Sequence, residues 1–510
     1  MKRKVILFLL CLLLPVGLCA RPAEASTTAF DSAAAASVWS AALAYIAPRA
    51  LNPVTIPQMT LWGLNGLAAL DPNLNTKLQD GEIRLYGPDR LLLAVPAPAA
   101  KDAAGWGQAA GKVAAAAYAA SVPLQQAGTQ GIISNFFDEL FNHFDPYSRY
   151  EGPVQAAQDQ LMITGLAGTG VTLTSKEGRV VVASVAADSP AANAGLQPQM
   201  VVSTVNGRKA YPGMVEALNR GMAGLPGTAF SISIIDPTDG TDSNPQNFTL
   251  KRGFIPPETV FVEPPLGTGI AVLKIDGFNK GTGDQFAQAL ASVMAQTPSP
   301  NALVLDLRGN RGGVLRQAVL VADTLLQSGP IAETNGRDPD ADQHFTAEGA
   351  DLTEGAKIAV LVDGQTASAA EILSAALADD GRAVVIGSET LGKGLVQTVT
   401  SLPGGGELFV TWSRVLAPRG WPLQGLGLMP QVCTSNGPDS LNQQLAALAK
   451  GHNLLAPVLA KARAMRPPVS IDAMLALRAN CPADIGGELD EQAAAAILSN
   501  DKMYQAALLH

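Results

Sequence analysis

Apolar residues recur at helical spacing in two alanine-rich stretches, Asp31 to Ala47 and Trp106 to Ala120, and in Gln130 to Asn142, which predicts a helical N-terminal region over residues 26–152. It ends at Phe144-Asp145-Pro146-Tyr147-Ser148-Arg149-Tyr150, where proline and serine stop a helix. The pattern then changes to short runs rich in valine and threonine and separated by glycine: Gly170 to Thr174, Val180 to Val185, Met200 to Asn206, Phe230 to Ile235 and Asn247 to Lys251. A small β-domain over 155–254 is predicted, with short helices at Pro190 to Ala194 and Gly213 to Arg220. Over 256–435 apolar runs alternate with helical patterns, which predicts a largely parallel sheet. Its units are the strand Ala302 to Leu307 with the helix Leu315 to Leu326, the strand Ile358 to Asp363 with the helix Ala369 to Ala378, and the strand Ala383 to Ile386. Residues 436–510 read as helical again, as in Ser440 to Lys450 and Glu491 to Leu498.

At 510 residues the chain is long enough for about three domains. The first 25 residues depart from the folded pattern. Lys2, Arg3 and Lys4 precede an apolar run from Val5 to Leu18, and Ala23-Glu24-Ala25 forms an A-x-A cleavage site, so 1–25 read as a signal peptide. Lipidation at Cys19 is the alternative, with Leu18 bulky where a small residue is expected. A periplasmic or otherwise extracytoplasmic location follows as an expectation. The formal charge is −9; without Lys2, Arg3, Lys4, Arg21 and Glu24 the remainder holds 31 basic against 43 acidic residues, a net of −12. That balance argues against nucleic acid as a partner, whose phosphates demand a basic face. No later apolar run reaches the 18 or so residues of a membrane span. Cys433 and Cys481 remain after cleavage and read as one disulfide in an oxidising compartment, with two buried thiols as the alternative.

Elementary geometry brings three loops together. A ten-residue helix runs about 15 Å and a five-residue strand about 16 Å, so the loop Gly387 to Gly394 returns beside Ser368. Both follow the carboxyl ends of their strands, as does Arg308-Gly309-Asn310-Arg311-Gly312-Gly313, and open α/β sheets place their sites at that edge. Taken singly, each piece has a plain reading: Ser368 with Glu371 is an S-x-x-E capping box, and Lys393 and Gly312-Gly313 are loop residues. Taken together they make a serine, a base and amide donors. A serine hydroxyl needs a base to take its proton, and a lysine serves once burial lowers its pKa. The Ala369 amide and a glycine amide would face an oxyanion.

At these residues the chain resembles the carboxyl-terminal processing (tail-specific) protease family. The matching segments are Asp145-Pro146-Tyr147-Ser148, Asp306 to Gly313, Thr366-Ala367-Ser368-Ala369-Ala370-Glu371 and Gly392-Lys393-Gly394-Leu395-Val396-Gln397. Asp188-Ser189-Pro190-Ala191-Ala192-Asn193-Ala194-Gly195-Leu196 followed by Val205-Asn206-Gly207 resembles a PDZ domain, with Gln199-Met200 where glycine-aspartate is usual. The resemblance implies a multidomain α+β fold, with a helical N-terminal region, a PDZ-like β-domain, an α/β protease domain of the Clp protease/crotonase-like type and a helical C-terminal region. It implies Ser368 as nucleophile, Lys393 as general base, Gln397 as a helper positioning the lysine, and Gly312 or Gly313 with Ala369 as the oxyanion hole. The PDZ-like loop Gly165-Leu166-Ala167-Gly168-Thr169-Gly170 would present amides to a terminal carboxylate. Tyr147 stands where the family has histidine and Gln431 where it has aspartate, which bears on packing more than on chemistry.

Rival chemistries fit poorly. Only His143, His344, His452 and His510 are present, with no G-x-S-x-G elbow. Asp338, Asp340 and Asp342 alternate as in a calcium loop, but Gln343 and Gly349 fall where glycine and glutamate belong. No metal or cofactor is expected. The expected function is therefore a serine endopeptidase with a Ser-Lys dyad that acts on protein or peptide substrates with apolar C-termini, with room for a homo-oligomer or an adaptor. The alternatives are an inactive secreted PDZ scaffold that only binds C-termini, and an acyl-transfer enzyme with a non-peptide substrate.

Overall fold

The computed structural model describes residues 29–186, 189–235 and 245–509. The targeting segment expected at 1–25 and Asp188 of the PDZ-like stretch lie outside them. Among the described residues no helix is long and apolar enough to cross a membrane.

The N-terminal region holds the helices Ser32–Arg49, Ile56–Leu70, Ala103–Ala120 and Val122–Phe141, the last broken at Gly128, where φ is 67°. It is not wholly helical. An antiparallel three-stranded sheet, Asn75–Gln79, Glu82–Tyr86 and Leu91–Pro96, sits between the second and third helices. Its first turn is Asp80-Gly81, both with positive φ (54° and 75°), the backbone demanded by a tight two-residue hairpin. The core stacks Trp39 on Phe136 and Phe137 on Tyr150, and it runs on into Leu402, Leu408 and Val410 of the 256–435 region.

A helix, Pro153–Thr164, leads into the β-domain. There the strands Val171–Lys176, Arg179–Val185, Val201–Val205, Ala229–Ile235 and Gln246–Lys251 form an antiparallel sheet with the short helices Pro190–Asn193 and Val215–Met222 packed on it. Gln199 takes φ 72° in the turn before Val201–Val205, so the departure from glycine falls on a strained turn position.

Two sheets follow. The first orders Val260–Gly267, Ile270–Ile275, Ala302–Asp306, Lys357–Val362, Ala383–Gly387 and Val432–Cys433; its first pair is antiparallel and the rest parallel. The second joins Gln343–Ala347, Gly329–Gly336, Glu407–Leu416 and Leu395–Ser401. Alternation along the strands of the first sheet divides its faces. Leu303, Leu305, Ile358, Val360, Val362, Ala383 and Val385 meet the helices Thr282–Met294, Leu315–Asp323 and Ala369–Asp379. Val304, Ala359, Leu361, Val384 and Ile386 face the other way and are covered by Leu441, Leu448, Ile497, Leu498 and Tyr504.

The helices Pro438–Leu448, Glu488–Leu498 and Asp501–Ala507 therefore form the second covering layer of the parallel sheet, since such sheets must bury both faces, while Leu459, Ala462 and Leu477 of Ala456–Arg463 and Ile471–Arg478 join the core on the first face. The boundary expected near 435 cuts through a single core. Polar ties reinforce this layer. Arg308 bonds Asp490 and Glu491, Thr434 bonds Asp490, Gly364 N donates to Asp484 O, and Cys433 is bonded to Cys481.

Ile497→Ala should lower the unfolding free energy by about 2–5 kcal/mol, because it empties a fully buried place against the sheet. Denaturant titration at an unchanged m-value would show it, and a cost near zero would mean that the terminal helices do not share this core.

Candidate functional site

The strand Lys357–Val362 ends in the tight loop 363–368, and the helix Ala369–Asp379 begins directly after it. Asp363 shapes the loop by accepting the amides of Gln365 and Thr366 and of Gly309 across the edge. Ser368 sits at the turn with φ 56° and ψ −118°, a strained backbone for a residue with a side chain. Its amide donates to the Glu371 carboxylate at 2.8 Å, which is one half of the capping box. The Ser368 hydroxyl oxygen faces the Glu371 amide as the other half of that box without a cap hydrogen bond of ordinary length and angle, and as an acceptor there it keeps its own proton free.

Glu371 is fully buried and binds much more than Ser368. Its two oxygens also accept the amides of Gly392 and Lys393, each at 2.8 Å, and the Thr390 hydroxyl. Burial pushes this carboxyl above its ordinary range, against the pull of those donors. One side chain thus fixes the loop with Lys393 to the turn with Ser368.

Lys393 is half-buried, and its ammonium makes no hydrogen bond or ion pair among the described residues. Its Nζ lies 4.9 Å from the centre of the Tyr147 ring. Burial lowers its pKa, helped by the positive charge of Arg149 and opposed by Glu371. Tyr147 is held by its turn. The Asp145 carboxylate accepts the amides of Tyr147 and Ser148 and the hydroxyls of Ser148 and Thr411, and the Ser148 hydroxyl accepts Thr411 N. The residue read from sequence as a packing substitution is therefore part of the lysine's surroundings. Only its place in the motif pointed to it.

The glycine loop is set by Asn310, fully buried, whose side chain donates to Ile275 O and accepts Gly312 N at 2.8 Å. Gly312 has φ 89°, and a Cβ there would stand 2.7 Å from the Ser368 Cβ, so only glycine lets the loop approach the serine. Of the amides expected to face an oxyanion, that of Gly312 is taken by Asn310. Those of Gly313 and Ala369 donate to no group among the described residues. Gln397 also differs from expectation. Its amide donates to Leu395 O and Thr411 Oγ1, both at 3.1 Å, and not to Lys393, because the strand Leu395–Ser401 turns it toward the second sheet.

The loop Gly165 to Gly170 would act through its backbone rather than through side chains. Leu166–Gly168 pairs with Gly253–Ile255, while the amides of Thr169 and Gly170 donate to no group among the described residues. These residues line a groove of about 620 Å³ with Leu161, Met162 and Met222. Among the described residues no group of three or more histidine, cysteine, aspartate or glutamate side chains could hold a metal ion.

A second buried acid, Glu389, lies near Glu371. Burial pushes it up to about 8 against the attraction of Arg478 and Arg463, and its Oε2 has no hydrogen-bond partner among the described residues. Arg478, from the C-terminal helices, donates to Thr390 O at 2.9 Å and to Leu426 O at 3.0 Å, and so braces the segment that leads to Lys393.

Glu371→Gln would turn an NH₂ group against two of these donors. We expect it to slow phosphonate labelling of Ser368 by about 100-fold through misplacement of the loops, with normal labelling as the contrary result. Because the folded pKa of Glu389 exceeds 4.5, its contribution to stability is complete below 4.5 and is lost as pH rises through about 8. Melting temperatures between pH 5 and 9 should therefore fall less in Glu389→Gln than in the parent chain; parallel curves would contradict this.

A model of Peptidase family S41 matches residues 269–434, the segment that carries Ser368, Lys393 and both glycines. The carboxy-terminal-processing protease of Bartonella bacilliformis is 32% identical over 306 residues, which cover 59% of this chain and 69% of that protein. The carboxyl-terminal-processing protease of Synechocystis sp. is 31% identical over 56% of this chain and 67% of its own length. A probable CtpA-like serine protease of Staphylococcus epidermidis is 29% identical, and the chain spans 60% of its length. Among solved structures, the photosystem II D1 C-terminal processing protease aligns with 73% of this chain and 92% of its own at 24% identity and a TM-score of 0.36. The match on the site-bearing sheet and the 32% identity along more than two thirds of a curated relative place the chain in peptidase family S41, the carboxy-terminal processing serine proteases.

Proposed function

We propose that the chain is an extracytoplasmic endopeptidase that captures apolar C-terminal tails in its PDZ-like domain and cuts peptide bonds with a Ser368–Lys393 dyad. The observation that carries this reading is the shared carboxylate of Glu371, which holds the Ser368 and Lys393 amides at 2.8 Å each while the Ser368 hydroxyl proton is donated to no group among the described residues. Partial burial favours a neutral lysine, the form that takes a proton. Ser368 Oγ attacks the peptide carbonyl carbon as Lys393 Nζ accepts the hydroxyl proton. The amides of Gly313 and Ala369 receive the oxyanion. As the C–N bond breaks, the lysine returns the proton to the leaving amine, and water then attacks the acyl-enzyme and frees the serine. Gln397 supports the strand beyond the lysine rather than the lysine itself. The groove beside Thr169 and Gly170 suits an apolar tail whose carboxylate meets free amides.

Incubating residues 26–510 with an unfolded protein that ends in an apolar tail should give cleavage by the parent chain and none by Ser368→Ala or Lys393→Ala, followed by mass spectrometry. The rate should rise with pH through an ionisation below the ordinary lysine value of 10.5, since only the neutral amine is a base. Equal behaviour of all three chains with retained tail binding would favour the scaffold reading.

A further inference from the structure

A second pocket, of about 270 Å³, lies where the N-terminal region meets the second sheet, well apart in residues from the β-domain groove. Trp62 and Phe144 form its aromatic wall, and Leu395, two residues after Lys393, forms part of the opposite wall. Gln424, also in the wall, accepts the Gly394 amide at 3.0 Å, so the pocket adjoins the lysine loop directly. The walls are joined by Leu51 N donating to Thr411 O at 2.9 Å and by Tyr45 Oη bonded to Thr398 Oγ1 at 2.6 Å.

The charge in this pocket is unbalanced. Arg414 is exposed at it, and its guanidinium makes no hydrogen bond or ion pair among the described residues. Asp145, the single carboxylate in the wall, is occupied by two amides and two hydroxyls. His143 lies flat on Trp62 with ring centres 4.4 Å apart and adds no negative charge. An apolar recess with one free guanidinium at its edge is complementary to an apolar group that carries a carboxylate. Its volume falls below the roughly 300–1,000 Å³ of drug-sized ligand sites, which suits a single amino-acid residue.

We propose that this pocket seats the apolar C-terminal residue of the substrate, with its side chain against Trp62 and Phe144 and its α-carboxylate on Arg414. This rests on the peptidase reading above and deepens it. The groove captures the tail first, and the terminus passes to the pocket when the chain reaches Ser368. The distance from Arg414 to the serine then sets how many residues lie between the cut and the end of the chain.

The test uses the full Ser368→Ala chain, so that it reads binding without cleavage, and a peptide ending in diazirine-bearing photo-leucine. Irradiation should label Trp62, Phe144 or Leu395. That label should fall about tenfold or more when the peptide is amidated or when Arg414→Gln is added, the loss of a charge-assisted hydrogen bond. Label confined to the groove residues Leu161 to Thr172 and Met222 would overturn the proposal, as would pocket label that is indifferent to amidation. Arg414→Gln in the Ser368 chain should also lower kcat/KM for free-acid peptides and leave amidated ones unchanged. A parent chain that labels at the pocket but cleaves nothing would sink the peptidase reading while leaving the pocket assignment standing.

Discussion

Everything at the candidate site hangs on one buried carboxylate. Glu371 stands in the first turn of a helix with no exposed surface, and an unpaired charge there would be prohibitively costly. It is tolerated because three backbone amides and a hydroxyl converge on it. Those amides belong to the two loops whose side chains would do chemistry. The electrostatic need of one residue is therefore what brings Ser368 and Lys393 together. The same network supports the strained backbone of Ser368, a conformation that costs about 1–3 kcal/mol and persists only where surroundings over-determine it.

The site is also braced by parts of the chain that contribute no candidate nucleophile or base. From the N-terminal side, the Asp145 turn docks on Thr411 and carries the Tyr147 ring up to the lysine. From the C-terminal side, Arg478 holds Thr390 and Leu426, on either side of the lysine loop. The segment matched as Peptidase family S41, 269–434, thus contains the candidate residues but not all of their supports. A parallel sheet must be covered on both faces, and here the second cover is three of the C-terminal helices, so the enzyme core and its terminal region cannot be separated without exposing Val304, Leu361 and Ile386.

Much of this was legible in the chain. Strands and helices of the parallel sheet announce themselves through continuous apolar runs and helical periodicity, and the loops at their carboxyl ends follow from counting residues. The three-stranded sheet at 75–96 was less so. Its strands are five or six residues long with half-exposed faces, so alternation is weak, although Asp80-Gly81 was an available hairpin signal. Gln397 and Gly312 mark a different limit. Their positions in the motifs are plain, but the direction of a side chain or amide depends on the folded backbone: on Thr411 of the neighbouring strand for one, and on a tight turn that folds the Asn310 side chain back onto the amide for the other.

By itself the amino-acid sequence determined the order of regions and the strands of the central sheet, and it singled out Ser368, Lys393 and the paired glycines as candidates, because these are written in local periodicity and in short motifs. Tertiary structure alone decided which amides stay uncommitted, which ring lies beside Lys393, and which carboxylate joins the loops. It also decided where Arg414 lies free beside an aromatic wall. The physical reason is common to all four: hydrogen bonding and desolvation are settled by partners that only folding brings within a few ångströms, and no pattern along the chain records those distances.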